Sequence, residues 1–166
     1  MTRQVIPWPD RRLRTPAAPV AEITEEIRAL WNDMIAVMEA MPGVGLAAVQ
    51  LGEMQRLAVV DASGARGQVV RMANPEIIHA SGKMNIHEEA SPNLPGVSAK
   101  VTRPRAVTVG FLNDQGVVEQ RDFVGLWATS VQHQIDHLNG KMYFERLSRM
   151  KREMLLKKAA KYGGQA

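Results

Sequence analysis

An α+β fold is predicted by the order in which helical and strand-like patterns follow one another along the 166 residues. Apolar side chains recur at three- and four-residue steps from residue 23 to residue 41, as on one face of a helix. Several short strand-like runs lie between residues 57 and 123, and two helical stretches come after them. Because the strands are grouped rather than alternating with helices, the pattern favours α+β over a βαβ arrangement.

The predicted N-terminal helix has recognisable ends. Three glutamates occupy its first turn, where the positive end of the helix dipole favours acidic side chains. Pro42 and Gly43 follow its last apolar residue and are typical of a helix end. The methionine-rich apolar stripe of this helix is expected to pack in the core.

The predicted strands form two pairs. Residues 57–62 are predicted as a strand, and the Gly-containing turn after them leads into a return strand at residues 68–73. Residues 107–112 and 117–123 are predicted as a hairpin, because the Asn-Asp-Gln-Gly sequence between them is typical of a turn.

Two helices are predicted near the C-terminus. The first spans residues 126–139 and ends at Gly140. Residues 142–145 are predicted as short and extended, and Ser148 is predicted to cap the final helix. The inward-facing residues of that helix are predicted to be Met150, Met154 and Leu155.

Length and composition favour one domain over residues 1–166. Hydrophobic residues make up 45% and charged residues 23%, which argues against disorder. The absence of cysteine excludes disulfides, Cys-ligated zinc and thiol nucleophiles. Because the N-terminus lacks an apolar signal region and no run is long enough to span a bilayer, we expect no membrane contact and a cytoplasmic location.

The net charge of +4 is concentrated near the C-terminus. Residues 145–161 hold seven basic and two acidic side chains, so the rest of the chain is close to neutral. A basic helix over about residues 148–162 is expected either to dock on a phosphate backbone or another acidic surface, or to be an ordinary solvated helix.

The segment His133-Gln134-Ile135-Asp136-His137 places two imidazoles one helical turn apart on one face. That spacing allows both rings to reach one metal ion, although on its own it is more typical of a hydrogen-bonded helix pair. In zincin-type sites a glutamate follows the first histidine and acts as general base, and this chain has Gln134 there.

The segment GVGLAAVQ at residues 43–50 is the second candidate. Its two glycines allow the backbone to approach a ligand or a neighbouring element closely, and its terminal Gln50 offers an amide. It matches neither phosphate-loop pattern and so fits a phosphate-binding loop poorly, and a helix end with tight packing is the alternative.

Together with QHQIDHLNG at residues 132–140, this segment resembles the peptide deformylase family. The family motifs are G-[IV]-G-L-A-A-x-Q, E-G-C-L-S and Q-H-E-x-D-H-L-x-G, and two of the three occur here in the expected order. The similarity covers residues 5–160 and includes PDRRLRTPAAPV, Asn74-Pro75, LPGV at residues 94–97 and Arg103-Pro104. It implies a single α+β domain with antiparallel strands around a central helix, plus N-terminal and C-terminal helices.

The resemblance implies hydrolysis of the formyl group on the N-terminal methionine of new chains by a ferrous or zinc ion. It assigns two metal ligands to His133 and His137 and an oxyanion-binding amide to Gln50. It further implies that the backbone of Gly43 and Gly45 pairs with the peptide. An ion pair between Glu89 and Arg103 is also implied. The methionine pocket would be lined by Thr129 and Ser130, which are more polar than such a pocket prefers.

Three positions depart from the family pattern. Ser91 stands where the third ligand, a cysteine, belongs, and a neutral hydroxyl is a poor substitute for a thiolate. Pro92 stands where a backbone N–H would help to bind the oxyanion, and proline has none. Gln134 replaces the catalytic glutamate and cannot exchange a proton at neutral pH. His87 and nearby carboxylates are the only candidates for a substitute ligand.

The sequence therefore predicts a deformylase-like protein that is inactive or strongly impaired and holds no metal. It would bind N-terminal (formyl-)Met peptides and contact the ribosome through the basic C-terminal helix. The alternative is an active deformylase that uses one divalent ion, iron or zinc, with an altered ligand set. A structural or regulatory protein with an empty cleft is the third hypothesis.

Overall fold

The fold was determined from a computed structural model, which describes residues 3–164. Its α-helices are α1 (Glu25–Ala40), α2 (Leu126–Leu138) and α3 (Arg149–Gly164). Its strands are β1 (Gly45–Ala47), β2 (Leu57–Val60), β3 (Val70–Ala80), β4 (Met84–Ser91), β5 (Leu94–Pro104), β6 (Ala106–Leu112) and β7 (Val118–Val124). Within residues 3–164, every helix is too short or too polar to cross a bilayer.

The strands form two antiparallel sheets. The larger has the order β1-β2-β3-β6-β7, and the smaller is the β4–β5 hairpin. Helix α2 packs against β1, β2 and β7 and also contacts β5, so it lies between the two sheets. The predicted α+β class and the central helix are confirmed.

Helix α1 covers the larger sheet. Thr24 caps it by accepting a hydrogen bond from the backbone N–H of Ile27, at 3.3 Å. Trp31, Met34 and Met38 are fully buried, so the methionine stripe packs in the core as predicted. Because α1 carries its polar residues on the opposite face, it shields the sheet from solvent.

Helix α2 is buried over almost its whole length. Every side chain from residue 128 to residue 138 is buried, including seven polar or ionisable ones. Polar side chains placed so deeply need hydrogen-bond partners or a ligand. The chemistry-bearing segment of the chain is therefore its central helix.

The strand predictions were incomplete between residues 74 and 106. Strand β3 continues past Asn74, which has a φ of 52° and lies at a shift of register between β3 and β6, instead of ending there. The β4–β5 hairpin was not predicted, because its buried residues include Glu89 and Ser91 whereas Ile86 is exposed. The apolar side chains Met84 and Ile86 of β4 therefore point away from the protein interior.

Two predictions near the C-terminus were wrong. Residues 142–145 are not extended, because Tyr143–Arg146 form a 3₁₀ turn. Met150 and Met154 are 71% and 66% exposed, since α3 buries only a narrow stripe against β5.

Other predictions for this region were confirmed. Leu155 is buried, and Ser148 accepts a hydrogen bond from the backbone N–H of Lys151, at 3.3 Å. The predicted single domain extends to residues 1, 2, 165 and 166, which lie outside the described residues, and it stays a prediction.

Candidate functional site

A cleft of about 470 Å³ lies between α2, the β4–β5 hairpin and the turn that leads into β1. It is lined by nine of the ten predicted site residues, namely Gly43, Gly45, Gln50, Ser91, Pro92, Thr129, Ser130, His133 and Gln134. His137 lies one helical turn deeper and is fully buried. The two sequence motifs and the three residues that differ from the family pattern therefore lie around one cleft.

A buried ion-pair cluster supports the cleft from below. Arg103 donates to Glu89 at 2.7 and 2.9 Å and to Asp136 at 2.8 Å. Asp136 also accepts from Arg146, at 2.6 and 2.8 Å. Because Glu89 lies on β4, Arg103 on β5 and Asp136 on α2, the cluster joins the hairpin to the central helix. The ion pair that the resemblance implied is present.

The carboxylate of Glu89 orients the first histidine. Burial alone would raise the pKa of Glu89, but hydrogen bonds from His133 and Arg103 and the charge of Arg103 outweigh it, so that pKa is lowered. Its oxygen lies 2.8 Å from Nδ1 of His133. An ionised carboxylate can only accept, so His133 carries a proton on Nδ1 and presents Nε2 to its neighbour.

The second histidine faces the first. Nε2 of His137 lies 3.2 Å from Nε2 of His133. Complete burial, with His133 and Arg103 nearby, holds the pKa of His137 well below its ordinary value, which keeps the ring neutral. Its Nδ1 atom is buried and has no hydrogen-bond partner within residues 3–164.

Gln50 is held in a closed network. Its Oε1 accepts from the backbone N–H of Ala47 at 2.9 Å, and its Nε2 donates to Asn93 at 2.8 Å and to Ser91 at 3.3 Å. Ser91 in turn donates to Asn93, at 3.0 Å. Both amide hydrogens of Gln50 are thus engaged by protein groups. Sequence reasoning missed Asn93, whose one signal was its place at the end of the altered middle motif.

Pro92 lies in the tight turn between β4 and β5 and borders the cleft. Ser91 pairs across this turn with Leu94. Since proline lacks an N–H, the backbone at this point can donate nothing to a ligand.

Gly45 and α2 approach each other closely. A side chain at Gly45 would place its Cβ 2.5 Å from both Gln134 Nε2 and Ser130 Oγ, closer than real contacts allow. Ser130 uses its hydroxyl to donate to the backbone oxygen of Val44, at 2.8 Å. The Oε1 atom of Gln134 is buried and, within the described chain, unpartnered.

His87 is placed against Thr129 rather than beside the histidine pair. Its Nδ1 lies 2.8 Å from Thr129 Oγ1. His87 and Glu89 are two residues apart on β4 and so lie on the same face of the strand. His87 contacts Thr129 and Glu89 contacts His133, and these two partners are one turn apart on α2. This arrangement gives His87 a partner of its own.

Tyr143 was not predicted as a site residue. Its ring stacks on His133 with centroids 5.9 Å apart and 16° between the planes. Burial, reinforced by Glu89 and Glu88, raises the pKa of Tyr143 to about 12, so the hydroxyl keeps its proton. That hydroxyl is buried and has no partner in the described part of the chain. No local sequence pattern identified it.

The donor set can be compared with the metal ion that the resemblance implies. Two ligands at about 2.0–2.1 Å from a tetrahedral ion lie roughly 3.3 Å apart, so the two imidazoles suit one edge of such a site. Ser91 is neutral and held by two amides, and no three His, Cys, Asp or Glu side chains of residues 3–164 are grouped to hold an ion. The residues present fit two ligand positions and do not supply the third, anionic one.

Comparison with known proteins gives consistent results. The family model described as polypeptide deformylase matches residues 2–153. A peptide deformylase of Rhodopseudomonas palustris (strain TIE-1) is 42% identical over 168 aligned residues, covering 97% of this chain and 96% of the relative. A peptide deformylase structure from Legionella pneumophila has a TM-score of 0.92 at 38% identity, with 99% and 97% of the two chains covered. The Met-Ala-Ser-bound class I type b peptide deformylase of Acinetobacter baumannii has a TM-score of 0.83 at 31% identity, covering 89% and 99%.

The comparisons support the expected family but not every expectation about activity and metal binding. The relatives are named for their enzymatic activity, which favours hydrolysis over the expected loss of it. The expectation that no metal is bound has no support among them, and the roles of individual residues stay predictions. A family model over nearly the whole chain and relatives of matching length establish that this chain belongs to the peptide deformylase family.

Proposed function

We propose that this protein binds the N-terminal end of (formyl-)methionyl peptides in the cleft and that its hydrolysis of the formyl amide is strongly impaired. The observation that carries the proposal is the composition of the cleft. The glycine edge, formed by Gly43 and Gly45, and the two histidines are present. Ser91 and Gln134, in contrast, put neutral groups at the two positions where the family motif has ionisable ones.

Peptide binding is supported by the position of β1 at the edge of the larger sheet. The N–H of Ala47 points away from β2, to Gln50 Oε1. In an antiparallel pair residues two apart point the same way, so the N–H and C=O of Gly45 also point away from β2 and towards the cleft. An extended peptide can pair with such an edge. The Acinetobacter baumannii relative is described as bound to Met-Ala-Ser, a peptide of this kind.

Impaired hydrolysis is supported by three chemical deficits. A glutamine at position 134 cannot relay a proton, and the loss of general acid–base catalysis typically costs about 10²–10⁴ in rate. Pro92 offers no N–H to an oxyanion, and one such donor is worth roughly 10²–10³. Gln50 would have to release Asn93 or Ser91 before it could donate to a substrate. The deficits need not multiply, because such groups act as a unit.

An active metal-dependent deformylase with an altered ligand set is the second candidate, and the names of the relatives favour it. In that case His133 and His137 would hold one divalent ion, iron or zinc, which would supply Lewis-acid activation. Ser91 is the side chain nearest in role to a third ligand, and Glu89 would keep the ring of His133 oriented.

Contact with the ribosome is a further part of the proposal, together with a cytoplasmic location. Helix α3 exposes Lys151, Lys157, Lys158 and Lys161 to solvent. A cluster of exposed cations attracts the phosphate backbone of RNA without reading its sequence. Docking there would bring the cleft close to newly made N-termini.

The test is anaerobic turnover of formyl-Met-Ala-Ser with ferrous or zinc ion added. The comparison is a variant with the family residues restored, Ser91→Cys, Pro92→Leu and Gln134→Glu together. We expect the restored variant to exceed the natural chain by about 10² or more. Equal and rapid turnover by both chains would establish the second candidate. If neither turns over, titration with the same peptide decides whether the cleft binds it.

A further inference from the structure

The larger sheet has two ends, and only the β1 end borders the cleft. Strand β7 forms the other end and pairs with β6 along one side over its whole length. Within residues 3–164, no strand pairs with the other side of β7. Val118, the first residue of the strand, is 76% exposed. An open row of backbone N–H and C=O groups of this kind can pair with a further strand.

The backbone groups that β7 presents at this open edge follow from the bonds at its two ends. The N–H of Asn113 donates to the oxygen of Val117 at 3.0 Å, and the N–H of Gly125 donates to the oxygen of Arg105 at 2.9 Å. In an antiparallel pair, residues that bond to the neighbouring strand alternate with residues whose backbone groups point away from it. The odd-numbered residues of β7 therefore bond to β6, and the even-numbered residues point to the open edge.

The charges on β7 restrict how a second copy of the strand can lie beside it. In an antiparallel pair of identical strands, the residue at the two-fold axis faces its own copy, and like charges placed opposite each other are destabilising. An axis at Glu119, Arg121 or Asp122 would create such a clash. In the middle of the strand only Gln120 is neutral, and its amide can both donate to and accept from its copy.

An axis at Gln120 also matches the backbone pattern. Gln120 then faces its own copy and Val118 faces the partner's Asp122, so all of these pairs consist of even-numbered residues with free N–H and C=O groups. Each such pair exchanges two backbone hydrogen bonds. Glu119 lies opposite the partner's Arg121 in the pair between them, where side chains approach most closely. The two residues already form an ion pair within one chain, at 2.6 Å, and the second copy would extend it into an alternating row of charges.

We propose that β7 is the surface through which two copies of this chain associate, with the two-fold axis at Gln120. The partner is a second copy because the charges of β7 complement those of β7 itself. Both copies use the same edge, so the assembly closes as a dimer, and the two larger sheets become one continuous sheet. Because β1 lies at the far end of each sheet, both clefts stay accessible.

Sedimentation velocity of the full chain, from about 1 to about 500 μM, tests the association. We expect the mass to rise with concentration from 18.4 kDa to twice that value. Arg121→Glu sets glutamates opposite each other and should weaken association by at least about tenfold. Adding Glu119→Arg to that variant exchanges the two signs and should restore the dimer. Lys100→Glu, the same charge change on the exposed face of β5, should leave association unchanged.

Engineered cysteines test the register. The chain has no cysteine of its own, so a single introduced thiol can form a disulfide only with its copy. In Gln120→Cys the two Cα atoms would lie about 5.5 Å apart, within the span of a disulfide, and mild oxidation should give a covalent dimer. Asp122→Cys is the matched control on the same face. Its copies would be four residues out of register, about 14 Å apart, and should not crosslink.

Three results would overturn the proposal. The first is a natural chain that stays monomeric over the whole concentration range. The second is a dimer whose affinity survives Arg121→Glu, because a different surface would then join the copies. The third is equal crosslinking of Gln120→Cys and Asp122→Cys, which would show that the copies do not meet in this register. Rescue by the exchanged pair of charges separates a lost contact from a misfolded variant.

Discussion

His133 and His137 point their Nε2 atoms at each other across 3.2 Å in the buried floor of the cleft. The outer nitrogen of His133 is fixed by Glu89, whereas the outer nitrogen of His137 has no partner in the described chain. The two rings therefore converge on one point, and of their two outer nitrogens only that of His133 is held by a hydrogen bond within the described residues. Two imidazoles without an anionic ligand make a weak site for a divalent ion.

Restoring a thiolate should strengthen metal binding. Ser91→Cys adds a soft, anionic third ligand on the hairpin that carries Glu89, and we expect zinc affinity to rise by at least about tenfold. Competition with a chromogenic chelator measures the change. Ser98→Cys, on the exposed face of β5, is the control for a cysteine outside the cleft. An equal affinity for zinc in the natural chain and Ser91→Cys would show that the natural donor set is already complete.

The glycine edge should not tolerate a methyl group. In Gly45→Ala the new Cβ would lie 2.5 Å from Gln134 Nε2 and Ser130 Oγ, so these side chains must turn aside or β1 must move away from α2. We expect a loss of at least about tenfold in peptide affinity, because either shift changes the surface that meets the peptide. Gly64→Ala is the matched control, since a Cβ there meets nothing within 4 Å. Equal peptide affinities in the two variants would contradict this account of the edge.

Breaking the buried ion-pair cluster should destabilise the fold. Arg103→Met leaves Glu89 and Asp136 short of a partner at a position that is 1% exposed, and we expect a loss of about 3–5 kcal/mol in the free energy of unfolding. Denaturant unfolding measures it. The exposed pair between Arg121 and Glu119 provides the comparison, and Arg121→Met should cost no more than about 1 kcal/mol. Similar losses in both variants would refute the role of the cluster.

Asp61 should make stability depend on acidic pH. Burial opposes its ionisation, but hydrogen bonds from Ser63 and Gln68 and the charge of Arg66 outweigh burial and lower the pKa of Asp61 below its ordinary value. A lowered pKa in the folded state stabilises the protein above the unfolded value of about 3.9, and this stabilisation is lost as pH falls through the folded pKa.

We therefore expect Asp61→Asn to lose about 1–3 kcal/mol in the free energy of unfolding at pH 7. The natural chain and the variant should converge as pH falls through the lowered pKa of folded Asp61. Thermal or denaturant unfolding across this range makes the comparison. A constant difference down to the lowest pH would show that the carboxylate charge is not the cause.

Charge reversal on α3 should weaken association with ribosomes. Replacing Lys157, Lys158 and Lys161 by glutamate removes three exposed cations, and we expect co-sedimentation affinity to fall by at least about tenfold at moderate salt. The difference should shrink as salt rises, because screening weakens both chains. A second triple variant with the same charge change carries its substitutions at Lys83, Lys100 and Arg105. Equal loss in both variants would mean that only net charge matters.

The helices were predictable because each carries a stripe or a segment that its surroundings bury. Helix α1 has apolar residues at helical spacing, and α2 carries a motif whose order along the chain is distinctive. Strand β4 was not predictable for the opposite reason. Ile86 is 62% exposed and Glu89 is 6% exposed, so its polar residues face inward to build the cleft.

Part of the site was equally hidden in the sequence. Asn93 becomes important because its amide joins Gln50 to Ser91 and to the N-terminal segment. Tyr143 meets His133 only because the 3₁₀ turn after α2 folds its ring back over the helix. Such contacts depend on tertiary placement, which no local pattern encodes.

The Arg103 cluster holds the walls of the cleft together, and none of its members is Ser91, Pro92 or Gln134. The residues that secure the architecture and the residues that depart from the family motif are therefore separate sets. Substitutions at those three positions can therefore change the chemistry of the cleft without removing a member of the ion-pair cluster.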